Sequence, residues 1–196
     1  MYEIELKAHV NNKQETAKKL STFATYKKHV EKHDVYWLLQ NTHSKIEKNI
    51  LVRIREEISN TNNKEKKEYL ITYKHKSLQF DKENKAYEVN NEYEFRIDDK
   101  TPFEVILKDS GYHVKVKKNK STDIWQVENA SLELSTIDLL GDFLEIEILS
   151  KTNDEKTVKL YRNQLFKLLQ KSGLSRDAIE NRYYSEMIEN LEKENK

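Results

Sequence analysis

Charged residues recur at every second position along this chain, always against branched or aromatic neighbours. Residues 2–10, YEIELKAHV, set Glu3, Glu5 and Lys7 on one parity and Ile4, Leu6, Ala8 and Val10 on the other. A period of two is that of a strand, whose successive side chains point to opposite faces. The pattern returns with Arg53 and Arg55 between Val52 and Ile54, and with Lys74 beyond Leu70 and Thr72. It returns again with Glu92 and Glu94 against Tyr93 and Phe95, with Lys115 and Lys117 against Val114 and Val116, and with Glu145 and Glu147 against Leu144, Ile146 and Ile148. These twelve residues, six basic and six acidic, sum to zero charge. Lys and Arg suit a polyanion, and Arg grips phosphate oxygens in bidentate fashion. Closely spaced carboxylates suit a hard divalent cation such as Mg²⁺, which takes oxygen ligands and bridges to substrate phosphates. Both sets in one cavity suit a metal–polyphosphate complex, because crowded charges are costly unless paired or liganded.

Taken singly, each pair has a plainer reading. Arg53 and Arg55 could be exposed cross-strand partners of glutamates, and Glu145 and Glu147 the solvated face of an open sheet. Convergence requires a closed antiparallel barrel, with its outer parity packed under helices and its polar lumen filled by a polar ligand. The expected fold is therefore α+β, a barrel of about eight strands with helices outside.

The remaining elements fit that architecture. Asn12-x-x-Glu15 has the form of a capping box and opens a helix over 13–27. Residues 33–39 are β-rich, and the polar stretch 59–67 reads as a hairpin loop. Thr101-Pro102-Phe103-Glu104 starts a helix with Thr101 as cap, ended at Gly111. Thr152-x-x-Glu155 starts another, stopped at Gly173. Ser175 caps a last helix carrying Ile179, Tyr183, Met187 or Ile188, and Leu191, with a frayed tail at 192–196. No repeat or Pro/Gly/Ser-rich linker divides the 196 residues, so one domain spanning 1–196 is expected.

Composition excludes several classes. The charged fraction is 35% and the apolar fraction 36%, yet 35 basic and 34 acidic residues leave a net charge of only +1. A bulk electrostatic partner such as nucleic acid is not implied. The lysine run at 115–120 lacks a supporting basic surface. There is no cysteine, hence no disulfide framework or thiolate zinc site, and the six histidines lack ligand spacing. Three glycines cannot build a phosphate loop. No apolar run reaches membrane-span length and no secretory pattern opens the chain, so a cytoplasmic protein without a membrane partner is expected.

These segments resemble the CYTH superfamily, the triphosphate tunnel metalloenzymes. EIELK at 3–7 is similar to the family's ExExK signature, DVYW at 34–37 to its second strand, LVRIR at 51–55 to its paired arginines and ITYK at 71–74 to its strand lysine. NEYEF at 91–95 resembles the ExE strand, KVK at 115–117 the later basic pair, LLGDFLEIE at 139–147 the LGxFxEIE segment and YYSEMI at 183–188 the aromatic close of the cyclase-like branch. Two positions depart from the pattern: Ser135 where the family often has Asp, with Glu133 on the same parity as a substitute, and Asn90 where it often has Arg.

The resemblance implies a triphosphate tunnel and chemistry dependent on Mg²⁺ or Mn²⁺, with two ions expected. It implies phosphate-gripping roles for Lys7, Arg53, Arg55, Lys74, Lys115 and Lys117. Metal ligation falls to Glu3, Glu5, Glu92, Glu94, Glu145 and Glu147, led by Glu5 and Glu145, and the catalytic set to Glu5, Lys7 and Lys74. The activity implied first is that of a class IV (CyaB-type) adenylate cyclase, converting ATP to cyclic AMP and pyrophosphate. An inorganic or thiamine triphosphatase, or a non-catalytic polyphosphate-binding module, is the alternative. The partner is ATP or another triphosphate, and family analogy adds a homodimer.

Overall fold

The computed structural model describes residues 2–39, 50–61, 64–75, 78–80 and 86–194. In chain order these form β1 (Tyr2–His9), α1 (Lys13–Leu20), β2 (Thr25–Leu39), β3 (Ile50–Thr61), β4 (Lys64–His75), β5 (Leu78–Phe80) and β6 (Ala86–Ile97). There follow α2 (Thr101–Asp109), β7 (Tyr112–Val127), β8 (Ala130–Ile137), β9 (Gly141–Ser150), α3 (Glu155–Lys171) and α4 (Tyr184–Glu194). The strands run antiparallel in the order β1-β9-β8-β7-β2-β3-β4-β6-β5. β1 also pairs with β6, from Tyr2 opposite Asn91 to Glu5 opposite Glu88, so the order returns on itself as a barrel-like tunnel. Eight strands make up the ring and the short β5 is appended to β6.

The outer parity supplies the core. Ile4, Leu6 and Ala8 of β1, Leu132 and Leu134 of β8, and Leu144, Ile146 and Ile148 of β9 pack against Leu20 of α1 and Val158, Leu165 and Leu169 of α3. Each fully buried side chain of this kind is worth about 1.5–3 kcal/mol over an exposed one. A second cluster joins Trp37, Val52, Ile54 and Ile71 to Leu107 of α2. Three helices thus lie outside the barrel as expected, but α4 does not. Its Tyr184 and Met187 pack with Ile137 and Phe143.

Local signals met mixed fates. Asn12 caps α1, its Oδ1 accepting from Glu15 N–H at 3.0 Å, but the helix stops at Leu20 and β2 begins at Thr25. Thr101 is not a cap: it is already helical, and its N–H donates to Asp99 Oδ1 at 2.9 Å. Asp154, rather than Thr152, caps α3 by accepting from Thr157 N–H at 3.0 Å. Strands β3 and β4 stay paired to Thr61 and Lys64, through most of the stretch expected to be loop. The last helix begins only at Tyr184, after a 3₁₀ turn over Arg176–Ala178, so Ile179 and Tyr183 belong to an extended link. Among the described residues, no helix is long and apolar enough to cross a membrane.

Strand β7 carries the consequential irregularity. Tyr36 pairs with Val116 but Trp37 pairs with Val114, which leaves Lys115 as an extra residue in a bulge. One inserted residue sends every following side chain to the other face.

Candidate active site

Register places the charges. Across β2 and β3, Tyr36 faces Arg53, Asp34 faces Arg55 and Lys32 faces Glu57. Across β2 and β7, Asp34 faces Lys118 and Lys32 faces Lys120. Across β1 and β9, Lys7 faces Glu145 and Glu5 faces Glu147. All but Asp34 line one cavity of about 390 Å³, together with Glu3, Lys28, Thr72, Glu94 and Glu133. Among the described residues, seven cations (Lys7, Lys28, Lys32, Arg53, Arg55, Lys118, Lys120) meet seven carboxylates (Glu3, Glu5, Glu57, Glu94, Glu133, Glu145, Glu147), so their charges balance.

The cations are held by named partners. Buried Asp34 accepts from Arg55 Nε at 2.7 Å and Nη2 at 3.0 Å, and pairs with Lys118 Nζ at 3.1 Å. Burial alone would raise the Asp34 carboxyl, but Arg55, Lys118 and Arg53 outweigh it and hold the group well below the ordinary range. Arg53 Nη2 donates to Thr72 Oγ1 at 2.8 Å, and Thr72 in turn donates to Glu94 at 3.0 Å. Lys32 and Lys120 bracket Glu133, at 2.6 and 3.3 Å, and Lys120 also bonds Glu145. Against the pull of burial, Lys32 and Lys120 lower the Glu133 carboxyl, and Lys120 and Lys118 that of Glu145. Burial also lowers the Lys32 ammonium, whose neighbours Arg55 and Lys120 oppose the help from Glu133.

A different environment surrounds Glu3, Glu5 and Glu147, which each offer a carboxylate oxygen within 4.8 Å of the others. Burial and the nearby charges of Glu133 and Glu145 push the Glu147 carboxyl up, although a hydrogen bond with Glu3 opposes them. Three crowded carboxylates, one of them raised, form an all-oxygen donor set that fits a hard divalent ion such as Mg²⁺ or Mn²⁺.

One end of the tunnel is closed. Phe143 and Ile137 share the lumen parity of their strands but are apolar and buried under Tyr184 and Met187. The Phe143 and Tyr184 rings meet edge to face at 5.1 Å. The link before α4 is fastened to β1: Ala8 bridges Ile179, and Glu180 N–H donates to Lys7 C=O at 2.9 Å. Glu180 also binds Arg182 Nη2 at 2.7 Å and His9 Nε2 at 3.0 Å. These bonds, Arg182's foremost, hold its carboxyl at about 2 despite burial.

The cavity brings together Glu3, Glu5, Lys7, Arg53, Arg55, Glu94, Glu145 and Glu147, as their parity predicts. Lys74 and Glu92 are register partners one step along from Thr72 and Glu94; their side chains lie outside the described residues. Lys115 and Lys117 are corrections. The bulge takes Lys115 out of alternation, where it pairs with Glu189 of α4 at 3.0 Å, and Lys117 is exposed opposite Val35. Lys118 and Lys120 occupy the lumen instead. Glu145, expected to lead metal binding, is bonded to Lys120 and stands apart from the acidic trio. Ser135 is buried against Thr122 at 3.0 Å, and Glu133, one step along, meets lysines. Pattern reading passed over Lys32, Asp34, Lys118 and Lys120. Counting back from Trp125, whose bulk belongs under the helices, would have put Lys118, Lys120 and Thr122 inward.

Known structures share this fold. The PH1819 protein of Pyrococcus horikoshii is 25% identical, with a TM-score of 0.77 over 97% of this chain and 99% of that one. A candidate adenylate cyclase of Vibrio parahaemolyticus is 20% identical, with a TM-score of 0.73 over 96% and 98%. An adenylyl cyclase candidate from Hippeastrum with a dominant triphosphatase activity is 18% identical, with a TM-score of 0.58 over 88% of each chain. A search of curated proteins found no match. A model of the CYTH domain matches residues 1–184, all the barrel strands and the chain up to the first residue of α4, and on that match the chain belongs to the CYTH domain family.

Proposed function

We propose that the tunnel is the active site of a metal-dependent enzyme acting on a triphosphate, and that its reaction is the cyclisation of ATP. One observation carries the reading: beside a cationic wall braced by its paired carboxylates, from Arg53 and Arg55 to Lys118, the lining holds a further trio of carboxylates. A pure anion binder needs the first and gains nothing from the second. Glu3, Glu5 and Glu147 would hold the divalent ion, which would supply charge neutralisation at the phosphates and acidify the attacking hydroxyl. Arg53, Arg55 and Lys118 bind the β- and γ-phosphates and offset the charge that builds on departing pyrophosphate. Lys7, beside the carboxylates, orients the reacting phosphate, and Lys74 is assigned to the same task on its register position. The ribose 3′-oxygen attacks the α-phosphorus, the bond to the bridging oxygen breaks, and Glu5 takes the hydroxyl proton.

A second reading, triphosphate hydrolysis, is favoured by the cavity's composition. Among the described lining residues the aliphatic ones are Leu70, Ile124 and Leu149, against fourteen charged side chains, which favours a phosphate chain over a base. The Hippeastrum protein of this fold is also described by its triphosphatase activity. Purified protein supplied with ATP, tripolyphosphate or thiamine triphosphate and each of Mg²⁺ and Mn²⁺ separates the two. Cyclic AMP as the main ATP product supports cyclisation. Its absence from neutral to alkaline pH, with orthophosphate released from tripolyphosphate, replaces cyclisation by hydrolysis. Turnover of none of them refutes both.

A further inference from the structure

Three lysines of the cationic wall share one aromatic ring. The ammonium groups of Lys118, Lys7 and Lys120 lie 4.9, 5.4 and 5.8 Å from the centroid of Tyr184. Two of them are also set over a second ring, Lys118 over Tyr36 at 5.5 Å and Lys7 over Tyr183 at 5.6 Å. We propose that the face of Tyr184 is a positioning element of the tunnel, a π surface that gathers these three cations at its closed end into one anion-gripping set.

Like charges brought this close repel, and something must offset the repulsion without cancelling the charge. Carboxylates supply part of the offset: Asp34 pairs with Lys118, and Glu133 and Glu145 with Lys120. A carboxylate on the floor itself would neutralise the lysines and repel a phosphate. The negative face of an aromatic ring attracts an ammonium through its quadrupole and carries no net charge. The ring therefore adds attraction for the lysines without adding a negative charge that would repel an anion. Tyr184 is also well placed to hold still, since it is buried in the cluster with Ile137, Phe143 and Met187. Because it stands at the start of α4, the first turn of that helix is part of the grip, which the barrel strands alone do not complete.

The proposal rests on the triphosphate reading for its ligand only, and its test separates the two. Position 184 is replaced by phenylalanine and by its fluoro, trifluoro and pentafluoro analogues, which preserve the ring's shape and progressively remove its π charge. Two quantities are read: the melting midpoint of the ligand-free protein, and the tripolyphosphate dissociation constant in EDTA. Y184F should stay within about twofold of wild type, and the pentafluoro variant should bind about tenfold more weakly, with intermediate steps between. The melting midpoints should fall in the same order. Flat series in both readouts overturn the proposal and leave Tyr184 a packing residue. A loss in Y184F as large as in Y184L also overturns it, by moving the effect to the hydroxyl. If wild-type protein binds no tripolyphosphate either in EDTA or with Mg²⁺ supplied, the triphosphate reading fails. The melting series then decides alone: stepwise decline sustains the platform and no trend refutes it.

Discussion

Replacing Asp34 by asparagine tests whether the lumen is an electrostatically closed system. The carboxylate is fully buried, takes two hydrogen bonds from Arg55 and pairs with Lys118. Asparagine keeps the shape and removes the charge, leaving the Arg55 guanidinium and the Lys118 ammonium without the buried carboxylate they share. Breaking a buried pair by deleting one partner costs about 3–5 kcal/mol. For a chain of this size each kcal/mol moves the midpoint by about 2–4 °C, so D34N should melt roughly 6–20 °C below wild type. The sign with pH follows from the depressed carboxyl of Asp34. Its contribution is complete above the unfolded value near 4 and is lost as pH falls through the lower folded one, so the two proteins should converge in strong acid. Tripolyphosphate should recover more stability in D34N than in wild type, because a bound anion restores the missing charge. Calorimetric melts at several pH values, with and without the anion, measure all three effects. A D34N midpoint within about 2 °C of wild type at neutral pH would falsify the closed-system account.

Other perturbations read separate parts of the molecule. E147Q or E5Q should weaken Mn²⁺ binding about tenfold or more by titration calorimetry, whereas E56Q, whose partners Lys67 and Lys100 lie away from the cavity lining, should leave it unchanged; equal affinities across the three would count against the acidic trio. K118A should cut tripolyphosphate affinity about tenfold and K115A by less than twofold, since one lysine lines the cavity and the other pairs with Glu189; the reverse order would restore the alternation that the bulge breaks. His29 bonds Asp123 at 2.9 Å and Glu31 at 2.8 Å, and although burial pulls its ring down, these carboxylates raise it overall. Its contribution should be complete below the unfolded value near 6.5 and disappear as pH rises through the raised folded one. H29Q should remove that alkaline decline from the urea midpoint, and an unchanged pH profile would show the pairs to be energetically silent.

Much of the lumen was legible because a strand's period is two wherever the strand is regular. Glu3, Glu5, Lys7, Arg53, Arg55, Glu94, Glu145 and Glu147 all sit in uninterrupted stretches, and each faces the cavity. Lys115 and Lys117 failed at the bulge opposite Tyr36 and Trp37, where a single extra residue exchanges the two faces. Lysines stand on both parities of that run, so composition could not reveal the exchange. Lys32 and Asp34 went unread because charged and histidine residues occupy both parities of 31–34 and because pairing partners far along the chain give them meaning.

Alternation and hydropathy, both local properties, decided from the sequence alone that charged strands would close around a neutral interior beneath helices. Which charges answer one another was settled in three dimensions: Asp34 with Arg55 and Lys118, Lys120 with Glu145, and Glu3 and Glu5 with Glu147. The closing of one end by Tyr184 belongs there too, because a helix joined by an irregular link goes where the barrel leaves an apolar floor for it. Pairing energies depend on distance and burial, and residues more than a hundred positions apart acquire both only when the sheet comes together.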